Sequence, residues 1–174
     1  MKKSMTLSLA ALMLVGALAG CAGGAKPQES ETPKTPEEIA TAYKTAIESA
    51  RDQEMNEVMG IITSSDDDMA DMILPMVGIT DENTTAYAVS ISAMNVKAYG
   101  IAAIMPAEGK SDEVLEGVKA FVDQQKSNFE FYLADQYDIA NAAKVETLDD
   151  GTVLLVMSED QDKIFDSIKD ALNK

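Results

Sequence analysis

The chain has 174 residues, with 30 acidic against 14 basic side chains and a formal net charge of −16. So acidic a surface lacks the positive field that phosphate-backbone binding requires, which argues against nucleic acid as a partner. There is no histidine and a single cysteine, which removes Ser-His-Asp triads, Cys-His dyads, His-ligated zinc or haem, and any intramolecular disulfide.

At the amino terminus Lys2 and Lys3 precede an apolar run from Met5 to Leu18, and Leu18, Ala19 and Gly20 lead into Cys21. A cationic start, about 7–15 apolar residues and a small-residue cut site are the parts of a secretory signal. Leu, two small residues and Cys is also the order read by bacterial lipoprotein-processing enzymes. We therefore expect cleavage before Cys21 and a diacylglyceryl group on its thiol. The run is too short for a transmembrane helix, which needs about 20 apolar residues. Two acyl chains anchor stably where one holds only marginally.

The expected product is anchored by lipid to the outer face of the bacterial cytoplasmic membrane, with no cofactor beyond that lipid. Residues 1–20 are then the signal peptide, 21–35 the lipidated Cys and a flexible linker, and 36–174 a single domain. The linker sequence AGGAKPQESETPKT is too polar to offset its ordering entropy, and about 14 residues of coil span roughly 20 Å.

The folded region opens at Thr35-Pro36-Glu37-Glu38, where Thr35 and Glu38 form a capping box and Pro36 suits the first helical position. Ile39, Tyr43, Ala46, Ile47 and Ala50 recur at helical spacing to about Arg51, and a second helical segment is expected through Met55, Val58, Met59 and Ile62. Ser64-Ser65-Asp66-Asp67-Asp68 reads as a helix start, capped by Ser65 or Asp66, with Met69, Met72 and Ile73 as its apolar stripe. Pro75 and Gly78 end that segment. From Ala86 the period changes to two, with Tyr87, Val89, Ile91 and Ala93 on one face of a strand. A turn at Asn95-Val96-Lys97 leads into a second strand at 98–105.

A long helix then starts at Ser111 or Asp112, with Val114, Leu115, Val118, Phe121, Val122 and Phe129 on one face. Phe129, Phe131, Tyr132 and Leu133 form an aromatic cluster expected in the core. Asp149-Asp150-Gly151 joins strands at 144–148 and 152–157 as a hairpin. The unbroken apolar run Val153–Met157 marks a central strand. Ser158 and Gln161 form a capping box for the last helix, whose buried face holds Ile164, Phe165, Ile168 and Leu172.

IAAIM followed by EVLEGVKAF echoes VLLVM followed by KIFDSIKDA. The fold class is therefore α+β: a four-stranded, mostly antiparallel sheet in a ββαββα plan, preceded by amino-terminal helices. Both repeat helices are expected on one sheet face, with the amino-terminal helices covering the other or an apolar groove left open.

The lipobox, the PEEIA helix start, SISAMNVKAYGIAAIMPAEGKSDEV, FYLADQYDIANAAKVE and VLLVMSEDQD resemble domain-of-unknown-function family 4358, a family of bacterial lipoproteins. The resemblance runs from about Ser64 to Leu172. It implies an extracytoplasmic location and a small α+β domain, and it brings no activity and no functional residues. Our leading expectation is a non-enzymatic, monomeric binding module whose acidic body suits a basic protein or a small cationic ligand. The alternative is a divalent-cation-binding surface protein using Asp66, Asp67, Asp68 and Asp71, or Asp149 and Asp150. The stretch from Ser64 to Asp68 lacks the EF-hand order of alternating acids with a central Gly. The methionines suit copper(I) chemically, but their spacing follows the apolar stripes and reads as core filler. Paired-carboxylate hydrolysis ranks third.

Overall fold

The computed structural model describes residues 34–173, so Leu18, Ala19, Gly20 and Cys21 lie outside the described residues. Chain order is α1 (Pro36–Ala50), α2 (Gln53–Val58), α3 (Ala70–Ile73) running into a 3-10 turn (Leu74–Val77), β1 (Thr84–Ile91), β2 (Gly100–Pro106), α4 (Ser111–Phe129), α5 (Ala134–Asn141), β3 (Lys144–Thr147), β4 (Val153–Met157) and α6 (Gln161–Leu172). The strands form one sheet in the order β1-β2-β4-β3, every pair antiparallel. The fold is α+β, and β4 is central as its apolar run requires. No helix of the described residues is long and apolar enough to cross a membrane.

The Thr35 capping box forms, with Glu38 Oε2 accepting from the Thr35 N–H and Thr35 Oγ1 accepting from the Glu38 N–H. The second hairpin turns at Gly151, whose φ of 89° is open to glycine.

Both sheet faces are covered by helices. On one face α4 and α3 bury Val114, Val118, Phe121, Phe129 and Ile73 against Tyr87, Val89, Ile104, Leu155 and Met157. On the other, α1 and α6 bury Tyr43, Ile47, Phe165 and Ile168 against Ala88, Ile101, Leu154 and Val156. The expectation that α4 and α6 share a face is thus corrected, and register supplies the reason. The echo aligns Ile101 with Val153, yet Val153 stands beside Ile104 in the β2–β4 pairing. Three residues is an odd step along a strand, so equivalent positions of the echo face opposite ways. The two helices leave accordingly.

Four further expectations change. Ile62 is not helical: α2 stops at Val58, and Ile62 makes an isolated antiparallel bridge to Val89 on the outer edge of β1. The acidic run does not start a helix at Ser65 or Asp66. The Asp67 carboxylate folds back to accept from the N–H groups of Thr63 and Ser64, and Met69, in a left-handed conformation, precedes the short α3. Its buried positions are Ala70 and Ile73 while Met69 and Met72 are exposed, so the expected methionine stripe faces water. Neither Ser111 nor Asp112 caps α4; Lys110 occupies the cap without a side-chain bond. Within the aromatic cluster only Phe129 is core. Phe131 and Tyr132 are 92% and 72% exposed, because the turn between α4 and α5 points them away from the sheet. The helix α5 itself carries no strong sequence signal and was not expected.

Tyr43 offers a pH readout of the α1 face. Its hydroxyl hydrogen-bonds Thr152 Oγ1 just before β4, and burial pushes its pKa up to about 12, with the Asp150 carboxylate adding to the rise against the Thr152 bond. The folded state therefore resists tyrosinate. Tyr43 contributes fully below pH 10, and that contribution is lost as pH climbs from about 10 to 12. At about 1.4 kcal/mol per unit, roughly 2 kcal/mol should vanish over this window. The pH-dependent loss should shrink in Tyr43→Phe, measured by urea unfolding at stepped pH; an unchanged alkaline slope would refute it.

Candidate functional site

Arg51, the only arginine in the sequence, ends α1 and turns its guanidinium inward. Nε donates to Asn56 Oδ1 at 2.6 Å, Nη1 to Ser90 Oγ and to Tyr99 OH at 2.9 Å each, and Nη2 to the Met59 carbonyl at 2.7 Å. One planar fork thereby joins α1, α2, β1 and the β1–β2 turn. Every one of these acceptors is neutral. A buried cation whose acceptors among the described residues are all neutral retains a desolvation cost that an anion could offset.

Beside it, where β1 ends and β2 begins, lies a pocket of about 220 Å³. Arg51, Lys97 and Lys163 line it together with Asp52, Glu159 and Asp160, over a floor that includes Ala98, Tyr99 and Ile164. Lys97 Nζ stands 5.8 Å from the centre of the Tyr99 ring, a cation–π distance. Gln136 of α5 fixes the turn by accepting the Ala98 N–H at 2.8 Å. Among the described residues none of the three cations has a carboxylate within ion-pair distance, whereas Lys110, Lys126, Lys144 and Lys169 do. The volume is below the 300–1,000 Å³ usual for drug-sized ligands, so a smaller molecule fits.

Ser158 stands in the pocket wall directly after β4. The expected capping box with Gln161 is absent: Asp160 is the cap residue, without a side-chain bond. Ser158 Oγ and Gln161 Oε1 are buried with no partner among the described residues. Position explains the failure, because Ser158 stays with the strand end two residues before the helix cap and its hydroxyl never reaches the first turn.

The sequence-derived metal candidates are not brought together. Asp67 is spent on backbone N–H groups, while Asp66, Asp68 and Asp71 are exposed or partly so, and Asp149 and Asp150 sit in the exposed β3–β4 turn. Among the described residues no three acidic side chains are grouped to hold an ion. Sequence reasoning missed the pocket, because its residues come from four separated stretches; the one available signal was the solitary arginine directly after an amphipathic helix.

The geometry leaves its chemistry unnamed, and comparison narrows only the lineage. The profile described as Domain of unknown function (DUF4358) matches residues 62–158, more than half of the chain. The chain belongs to DUF4358. Within this DUF4358 protein the matched stretch carries the whole sheet, α4 and α5, and it ends on Ser158. Lys97, Tyr99 and Gln136 of the pocket fall inside it, while Arg51 and Lys163 come from the flanking helices. No curated protein and no solved structure matches the chain significantly.

Proposed function

We propose that the mature chain is a non-enzymatic binding module, anchored through a diacylglyceryl group on Cys21 to the outer face of the bacterial cytoplasmic membrane, which takes a small charged molecule in the Arg51 pocket. The observation that carries this reading is the pocket itself, with three cations that have no ion pair among the described residues and three acids around one recess. Such mixed walls suit a molecule bearing both signs, since each end finds its complement. Arg51 lies against Ser90 and Tyr99 at one end of the sheet, while Tyr43, two turns earlier in α1, reaches Thr152 at the start of β4, the other end. The start of α1 therefore lies toward the sheet end opposite the pocket.

Two measurements test it. Expressed in a bacterial host, the wild-type chain should fractionate with membranes and Cys21→Ser should not; membrane partitioning that survives the substitution removes the anchor. Free amino acids and dipeptides, titrated into purified full-length protein, should raise its melting temperature. A ligand at about 100 times its Kd stabilises by about 2.7 kcal/mol, and Lys163→Gln should reduce that gain. Uniformly flat melting curves, with no heat in calorimetry, would remove the binding role.

A further inference from the structure

A second concavity, separate in composition from the Arg51 pocket, runs along the outer edge of β1. It encloses about 480 Å³ between residues 58–62, Met69 and the residues that follow β1. Its rim is apolar and open: Val58 is 65% exposed, Met94 63% and Met69 56%. Isolated exposed apolar residues are ordinary, but three large ones around one groove mark an interaction surface. Methionine suits such a surface because its flexible thioether adapts to a partner's shape.

Met69 strengthens the assignment. It is the one non-glycine residue with positive φ among the described residues, at 71°. The left-handed conformation is unfavourable for a side chain with a Cβ, yet here it holds a large apolar group out at the rim while the next residue, Ala70, is buried. Strain of this kind gathers at sites of recognition.

The backbone at the groove is also incomplete. Ile62 exchanges both hydrogen bonds with Val89 on the outer side of β1. Ile91, two residues on, points its N–H and C=O toward the same edge by ladder alternation, past the end of that bridge. An open edge next to apolar pockets is the setting in which an extended peptide adds to a sheet.

Charge selects the occupant. Asp67 and Asp68 lie in the groove wall, Asp66 adjoins them in the chain, and among the described residues no Lys or Arg lines it. An anionic membrane would be repelled, and so would a second copy of a chain with net charge −16. We infer that the β1-edge groove docks an extended, basic and apolar peptide segment of a partner protein, its apolar side chains on Met69, Met94 and Val58 and its cations toward Asp66 and Asp68. This inference does not depend on the small-molecule reading of the Arg51 pocket.

The test uses purified full-length protein and three fluorescent twelve-residue peptides: alternating Leu-Lys, alternating Leu-Glu, and alternating Ser-Lys. Leu-Lys should bind at least tenfold more tightly than either of the others, and less tightly as salt rises. Met69→Glu and Met94→Glu, both at exposed positions that should leave folding intact, should each weaken it at least fivefold, while Lys163→Gln in the other pocket should not. Equal binding of Ser-Lys would reduce the effect to bulk charge and overturn the proposal. So would Glu variants that bind normally, adsorption to phosphatidylcholine vesicles abolished by Met94→Glu, or a dimer in sedimentation that the same substitution dissolves. In those last two cases the groove belongs to lipid or to a second copy.

Discussion

Replacing Arg51 with methionine should cost this domain about 3–5 kcal/mol. The apolar stem is kept, so the loss isolates the guanidinium. Four acceptors lose their donor together: two hydroxyls on the sheet and its turn, the Met59 carbonyl and the Asn56 amide oxygen. Each buried polar group left unpaired costs about 1–3 kcal/mol, and hydroxyls that rotate to new partners bring the total below the simple sum. Arg51→Lys should recover only part, since an ammonium cannot span acceptors arranged around a planar fork. Urea unfolding would report a lower midpoint with unchanged slope. A loss under about 1 kcal/mol would mean that α2 is not held through this side chain. Because Asn56 also donates to the Glu48 carbonyl, loosening Arg51 should free α2 first, and with it one wall of both concavities.

Gly117→Val should be nearly as damaging, though helix propensity alone argues for the reverse. Glycine in the middle of a helix costs about 1 kcal/mol relative to alanine, so a substitution in α4 starts with a gain. At this position, however, a Cβ would stand 2.9 Å from the Val77 carbonyl oxygen and 3.1 Å from Gly78 Cα. Those are backbone atoms of the 3-10 turn and cannot rotate aside. Gly78 must itself be glycine, with φ at 72° and its own Cβ direction 3.0 Å from Gly117 Cα. Overpacking costs about 1–3 kcal/mol and occasionally more. We expect Gly117→Ala to lose about 1 kcal/mol net and Gly117→Val about 3 kcal/mol or more, read by thermal and urea unfolding. A stabilised Gly117→Ala would show that α4 does not rest on the turn this closely.

Local chemistry explains which elements were legible in the residues alone. The Thr35–Glu38 box, the Asp-Gly hairpin and the period-two run through Val89 each depend on residues within a few positions of one another. Their outcome needs no distant partner. The last helix failed as a capping box for a related reason. Ser158 and Gln161 have the right spacing, but Ser158 directly follows β4 and lies two residues before the cap residue Asp160, so its hydroxyl is not at the cap position. Met69 and Met72 misled because apolar spacing is shared by a buried stripe and an exposed rim. Phe131 and Tyr132 misled likewise: hydrophobicity favours burial, but a short turn after a fully packed helix leaves no neighbour to cover them.

What the amino-acid sequence determined by itself was the class of fold, the central place of β4, the membership in DUF4358 and the absence of histidine chemistry, because composition and short-range patterns act without knowledge of the rest of the chain. Which sheet face each helix covers, the junction built on Arg51, the pocket beside it and the methionine-rimmed edge of β1 were decided only in three dimensions. Strand register sets parity, and one odd step between Ile101 and Ile104 sends α6 to the face opposite α4. Sites assembled from four stretches of chain exist only once that parity has brought the stretches together.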